Sequence, residues 1–201
     1  LRQTLLFGGL ENISYNQNRK NNNLKIYEFG KTYHLHDKKN IEKHHLQILV
    51  TGLVNDKSWR SSKKNIDFYY LKEKVQNILH LLGLRNYNSI DDKGRGMSYY
   101  TKYTYNGENL VYFGRVKDKI SNKFNVDSEV FMADFNWGLI LKLSKDNKVR
   151  YQPVNKFPEV KRDLSLLIDE KTTFNELKKI ALNIDNSLLK SIDLLDVYEG
   201  E

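Results

Sequence analysis

The segment Leu24–Val54, LKIYEFGKTYHLHDKKNIEKHHLQILVTGLV, constrains the fold more than any other stretch of the chain. Ile26, Phe29 and Tyr33 punctuate Lys25, Glu28 and Lys31 in its first part. Its last part is the aliphatic, β-branched run Leu46-Gln47-Ile48-Leu49-Val50, ending at Thr51-Gly52. Two strand-type runs on either side of a polar stretch predict an antiparallel pair. The polar stretch, His36 to Lys43, is too long for a two-residue turn, so the register is expected to come from the strands themselves.

Helices and further strands follow around this pair. Leu5, Leu6, Leu10 and Ile13 recur at near-helical spacing over residues 3–16, with Gly8-Gly9 weakening the middle. The polar loop Asn55 to Lys64 carries Trp59-Arg60, with Trp59 expected to anchor packing. From Asp67 to Leu82 the stripe Phe68, Leu71, Val75, Ile78, Leu79 and Leu82 predicts a helix lying on a sheet. Asp67 stands where a carboxylate caps free N–H groups, and Gly83 where a left-handed cap ends the helix. Ser98–Tyr105 and Leu110–Val116 predict a hairpin turned at Asn106-Gly107, since both turn residues tolerate positive φ. Lys117–Phe124 predicts a short helix and Val130–Phe135 a strand, while Trp137–Leu143 fits either. Pro153 and Pro158, the only prolines, mark a boundary. Beyond it, Leu164–Ile168, Thr173–Ile184 and Ser191–Tyr198 predict a strand, a helix and a strand.

Charge supports the same division. Residues 1–150 hold 26 Lys+Arg against 15 Asp+Glu, and residues 151–201 hold 7 against 10, so net +11 and −3 make up the whole-chain +8. A basic body fits a polyanionic neighbour such as RNA, or a solvated lysine surface. The absence of cysteine excludes a disulfide frame and a thiolate zinc site. No run approaches the roughly 18 apolar residues of a membrane span. The start, Leu1-Arg2-Gln3-Thr4, has no methionine and no signal pattern, so a piece of a longer cytoplasmic protein is expected.

Chemistry is harder to find. The histidines are His34, His36, His44, His45 and His80. His34 and His36 alternate on one strand face with His44-His45 across the loop, a pattern open to metal binding, but no carboxylate recurs at a supporting spacing. No nucleophile elbow, zinc-helix, P-loop or dinucleotide motif is present. Gly94-Arg95-Gly96 lies between a helix and a strand and reads as a turn, and Asp91-Asp92 as a solvated turn pair. No set of residues amounts to an active site.

Several stretches taken together resemble the β-subunit family of bacterial phenylalanyl-tRNA synthetases: LRQTLLFGGLENISYNQNR, IYEFGKTY, HHLQILVTG, Trp59 followed by DFYYLKEKV, then KFPEVKRDLSLLID and LLDVYEGE. Their order and spacing match across essentially the whole chain. The resemblance implies an α+β fold. Residues 1–151 would form a non-catalytic, class II synthetase-like core of the B6–B7 type, an antiparallel sheet flanked by helices. Residues 152–201 would form the first βαβ half of a ferredoxin-fold anticodon-binding domain, with an unpaired edge and an incompletely covered helix face. It also implies that chemistry has left this piece. Working class II sites grip the ATP α-phosphate with an arginine on the central hairpin. In IYEFGKTYHLHD that position is His34, which lacks the bidentate fork. No glycine-rich arginine motif follows Trp137, and Arg150 stands alone. Catalytic, cofactor and metal residues are therefore expected to be none here, with ATP and Mg2+ used by the whole enzyme and adenylation carried by the α-subunit.

The partners implied are the α-subunit and tRNA(Phe), with no membrane and no DNA. Leu5, Leu6 and Leu10 correspond to the dimer-interface helix. Their face would pack either on the α-subunit or over the chain's own sheet, and both stay open. Lys161 and Arg162 precede a strand that would face the anticodon stem. The alternative is a free-standing RNA-binding module using the basic face of residues 1–150.

Overall fold

The computed structural model describes residues 2–55, 59, 63–145, 147, 158–169, 171–184 and 188–198. Pro153, Arg60 and Arg150 lie outside the described residues. The chain divides into two compact units, Leu1–Tyr151 and Gln152–Glu201.

The first unit is built on one six-stranded antiparallel sheet. In spatial order its strands are β1 (Leu24–His36), β2 (Lys39–Thr51), β6 (Val130–Asn136), β5 (Glu108–Val116), β4 (Met97–Tyr105) and β3 (Asn88–Gly94). The opening hairpin is longer and tighter than its polar middle implies. Pairing runs unbroken from Leu24↔Thr51 to His36↔Lys39, and the turn is Asp37-Lys38, with φ of 48° and 62°. That is a two-residue turn with positive φ at both centres, whose twist matches the flanking strands. The long loop expected at His36–Lys43 is therefore strand. Cross-strand pairs such as Lys31–Glu42 (2.7 Å) hold a ladder there that no apolar alternation announces.

Asn106 and Gly107, with φ of 48° and 80°, turn β4 into β5 as their dipeptide predicts. Asp91 and Asp92 are not in a turn. They lie in β3, an exposed edge strand whose turn into β4 is Arg95-Gly96. Edge strands with both faces wet carry no hydrophobic period, so β3 left no sequence signal.

Each sheet face is covered differently. On one face lie helices α2 (Phe68–Leu81) and α4 (Trp137–Ser144). Leu71, Val75 and Leu79 of α2 are completely buried with Leu46, Val50, Phe113, Phe131 and Phe135, each side chain contributing about 2 kcal/mol of transfer free energy. The Asp67 carboxylate accepts from the Tyr70 N–H at 2.8 Å, the cap expected of it, and Gly83 takes φ of 76°. The Asn136 side chain caps α4 through the Leu139 N–H, and the ambiguous run from Trp137 is thus helical. Lys117 to Phe124 forms the short helix α3 (Asp118–Ser121) followed by a 3-10 turn.

On the opposite face lies α1 (Leu6–Gln17), packed by Leu6, Leu10 and Ile13 onto Leu49, Met97, Val116, Val130 and Met132. Gly9 makes this close approach possible, because a Cβ there would collide with the Leu49 side chain. Buried Gln47 ties helix to sheet: with its amide assigned the orientation that satisfies both neighbours, its nitrogen donates to the Leu5 carbonyl (3.1 Å) and its oxygen accepts from the Leu6 N–H (3.0 Å). Trp59 is 95% exposed and anchors no packing among the described residues.

In the second unit α5 (Phe174–Ile184) begins at a capping box. Thr173 N–H donates to the Glu176 carboxylate (2.7 Å), and the Glu176 N–H donates to Thr173 Oγ1 (3.4 Å). This hydrogen bonding lowers the Glu176 pKa below its ordinary value. The strands expected at Leu164–Ile168 and Ser191–Tyr198 are not formed, and both stretches are without ladder pairing. In a split βαβ arrangement a further strand lies between these two, and none is present among the described residues of this unit. Without that neighbour neither segment has a ladder partner among the described residues. In the second, the Ile192 carbonyl accepts from Lys178 Nζ (3.4 Å) and the Val197 N–H donates to Asp196 (2.8 Å) instead. Leu164, Leu167, Leu195 and Val197 are accordingly exposed, as are Ile180 and Ile184 of α5.

Candidate functional site

The sheet face that carries α1 is apolar only beneath that helix. Beyond it, polar side chains contributed by β1, β2, β6 and β5 line up across the strands. Strand alternation puts Thr32 and His34 of β1, His45 of β2, Asp134 of β6 and Tyr112 of β5 on this one face. They touch in sequence. His34 Nε2 is 3.0 Å from Thr32 Oγ1, Thr32 Oγ1 is 2.9 Å from His45 Nε2, and His45 Nδ1 is 2.7 Å from Asp134 Oδ1. The Tyr112 hydroxyl donates to Asp134 Oδ2 at 2.7 Å, and the Arg95 guanidinium, reaching from the β3–β4 turn, lies 5.0 Å from the Tyr112 ring centroid.

The donors and acceptors order themselves once Asp134 is taken as the acceptor-only end. His45 then carries its proton on Nδ1 and leaves Nε2 to accept from the Thr32 hydroxyl, which in turn accepts from His34 Nε2–H. Every hydrogen bond thus points toward one buried carboxylate, and bonds aligned in this way polarise one another. Asp134 is 5% exposed and Thr32 2%, so both depend on these partners for the hydrogen bonds water would have made. Burial, reinforced by the Asp134 charge, pushes the Tyr112 phenol far above its ordinary pKa. Tyr103, on the other face, is raised chiefly by burial as well.

By distance, Thr32, His45 and Asp134 are spaced like a hydroxyl–imidazole–carboxylate nucleophile system. The likeness stops there. Thr32 Oγ1 is buried and engaged from both sides by His34 and His45, which leaves no approach for an electrophile. His34, which the resemblance sets where class II sites hold a phosphate-gripping arginine, is hydrogen-bonded to Thr32. Arg2 crosses the face beside Gly30 but is paired with Glu28 (2.7 Å) and donates to the Lys31 carbonyl (3.0 Å). The recess between Arg95, Tyr100, Lys102, Asn109 and Tyr112 encloses about 130 Å³, below the roughly 300 Å³ at which ligand pockets begin.

The remaining expected residues fall elsewhere. Leu5, Leu6 and Leu10 are buried at 1%, 5% and 0% in the chain's own core, so of the two arrangements open for this helix face it is the chain's own sheet that occupies it. The outward side of α1 presents Phe7 and Tyr15 instead. His36 and His44 contact Asp37 and Glu42, and His80 ends α2. Among the described residues no three His, Asp or Glu side chains converge as a metal ion would require. Lys161 and Arg162 are exposed in a stretch without regular structure. The chain His45–Asp134–Tyr112 escapes sequence reasoning because its links span 89 and 22 residues. The one signal available was a polar residue in an otherwise apolar strand, Asp134 within Val130–Phe135.

Comparison with known proteins covers both units. The family description "Phenylalanyl tRNA synthetase beta chain CLM domain" matches residues 1–137, and "Ferredoxin-fold anticodon binding domain" matches residues 155–201. Phenylalanine–tRNA ligase beta subunits from Bacteroides fragilis and Porphyromonas gingivalis are 44% and 32% identical over 100% of this chain, which spans 26% of the length of each. The solved pyrrolysyl-tRNA synthetase of Desulfitobacterium hafniense superposes with a TM-score of 0.56 over 72% of this chain and 50% of that one, at 12% identity, a likeness of fold alone. The six-stranded antiparallel sheet with its helices is therefore the class II synthetase-like fold, and the chain belongs to the phenylalanyl-tRNA synthetase β-chain family.

Proposed function

We propose that this chain is a non-catalytic part of a phenylalanine–tRNA ligase, keeping the class II sheet as a scaffold for α-subunit association and for placing tRNA(Phe). The observation that carries the non-catalytic reading is His34. In place of a guanidinium fork on the central hairpin stands an imidazole already hydrogen-bonded to Thr32, and the two arginines on this face, Arg2 and Arg95, are engaged with Glu28 and with the Tyr112 ring. A polarised hydrogen-bond chain now fills the place where a phosphate would need free donors. Adenylation, with its ATP and Mg2+, then belongs to the α-subunit in the cytoplasm. Lys161 and Arg162 remain candidates for contact with the anticodon stem, and the outward side of α1 for contact with the α-subunit.

Phenylalanine-dependent ATP–pyrophosphate exchange tests this. The isolated chain is expected to show none, and the assembled α- and β-subunits to show it fully. Exchange by the isolated chain would overturn the reading. A free-standing RNA-binding module is the weaker alternative, since both halves of the chain match a synthetase β-chain architecture.

A further inference from the structure

The β1–β2 hairpin outruns the sheet it belongs to. The last pairing of β2 with β6 is His45↔Asn136, yet β1 and β2 stay paired for six more rungs, from Lys31↔His44 to His36↔Lys39. At about 3.3 Å per residue those rungs carry a two-stranded arm roughly 20 Å past the end of β6. Register sorts the arm's charges by face. Its carboxylate-bearing face holds Glu42 together with Lys31 (2.7 Å) and His44 (3.4 Å). The face continuous with the polar chain carries Lys39, Lys43, His34 and His36 and no carboxylate of the strands. Asp37, in the turn, is taken by His36 at 3.0 Å. Among the described residues no carboxylate lies within ion-pairing distance of Lys38, Lys39 or Lys43, and all three are exposed.

We propose that this arm face is a contact surface for the sugar–phosphate backbone of RNA, with Lys39 and Lys43 as phosphate contacts and Lys38 at the tip. The proposal rests on the reading of the protein as a tRNA ligase component and names where on the chain RNA is met. Unpaired lysines on one side of a projecting ribbon, with the carboxylate turned to the other, are the arrangement a polyanion selects. A protein partner would need an apolar anchor, and the face offers only Ile41. A bilayer would need apolar residues at the tip, where Asp37-Lys38 stands.

Anisotropy titration of a labelled tRNA(Phe) transcript into the assembled full-length protein, repeated over a series of KCl concentrations, tests the surface. Lys39→Ala/Lys43→Ala is expected to weaken binding about tenfold and to flatten the slope of log affinity against log salt by about 2, one per lost phosphate contact. Lys39→Arg/Lys43→Arg should bind like the wild type, as should Lys142→Ala/Lys145→Ala at the C-terminal end of α4. Unchanged affinity and slope for the alanine pair, in a protein that still charges tRNA(Phe), would overturn the arm surface and leave the ligase reading standing. Arm-dependent RNA binding by a protein that charges no tRNA(Phe) would do the reverse. Absence of RNA binding by the wild type would overturn both.

Discussion

Thr32 shows how much one side chain can be asked to do. Its hydroxyl links His34 to His45, and it is almost wholly buried. Thr32→Val keeps the shape and removes the link, leaving His45 Nε2 without its donor. A loss of about 1–3 kcal/mol is expected, read as a lower urea midpoint at unchanged slope. Tyr112→Phe removes a donor to Asp134 from the far end of the same chain. Thr32 and Tyr112 do not touch, so independent sites would add. A coupling above about 0.5 kcal/mol in the double mutant is expected from bonds that polarise one another. Tyr112 also makes an alkaline prediction. Its folded pKa lies above the unfolded value of about 10, so the phenol is neutral in both states below that pH and its contribution to stability is complete there. Above it the unfolded chain loses a proton that the folded one keeps, and stability falls as pH rises. Urea midpoints of wild type should drop between pH 8 and pH 11, and Tyr112→Phe should flatten that drop. Of these residues the sequence offered His34 as a departure from a known pattern. On Asp134 it offered only a lone carboxylate in an apolar run and on Tyr112 nothing, because alternation along a strand tells which residues share a face but not which strand lies beside it.

Two glycines make the corresponding point for elements. Gly114 of β5 sits directly opposite Tyr100, next to an irregularity in β4. A Cβ there would fall on the Tyr99 carbonyl and within 2.7 Å of the Tyr100 Cα, both backbone, so the strands themselves would have to part. Gly114→Ala should cost about 3 kcal/mol, the upper end for overpacking. Gly8, on the outward side of α1, has no atom within 4 Å of a built Cβ. There Gly8→Ala should stabilise by about 0.5–1 kcal/mol through helix propensity alone. Thermal melts of the two variants should therefore move in opposite directions. The elements carrying a strong local signal were legible: the α2 stripe with its Asp67 cap, the Asn106-Gly107 turn and the paired runs of β1 and β2. The arm at residues 31–44 and the edge strand β3 were not, since ladders held by polar cross-strand pairs have no hydrophobic period to read.

At the scale of the molecule, the burial of Leu5, Leu6 and Leu10 changes which surface is free for a partner. The face of α1 that looked available is the chain's own core, and Phe7 and Tyr15 point outward, with Phe7 stacked on Phe124 at 5.6 Å. If the α-subunit docks on this side, Tyr15→Glu should reduce recovery of α-subunit in affinity co-purification severalfold while leaving the unfolding free energy of this chain unchanged within about 0.5 kcal/mol. Recovery equal to wild type would place the interface elsewhere. In the second unit α5 has its capping box and amphipathic stripe, yet the flanking runs remain unpaired. A helix satisfies its backbone within itself, whereas a strand needs a neighbour.

By itself the sequence determined the helices and most of the strands of the first unit, since those rest on local periodicity, caps and turn chemistry. The class of fold followed from the resemblance to a known family, and the division near residue 151 from the prolines and the reversal of charge along the sequence. It also determined that no arginine stands on the central hairpin at the position of His34. Tertiary structure alone decided that the hairpin is a projecting arm with its charges sorted by face, and that the α1 leucines turn inward. It also decided that His34 ends a hydrogen-bond chain reaching Asp134. Each of these depends on which strands become neighbours and in what register, a matter of contacts between residues far apart in the chain, and no spacing within one segment encodes it.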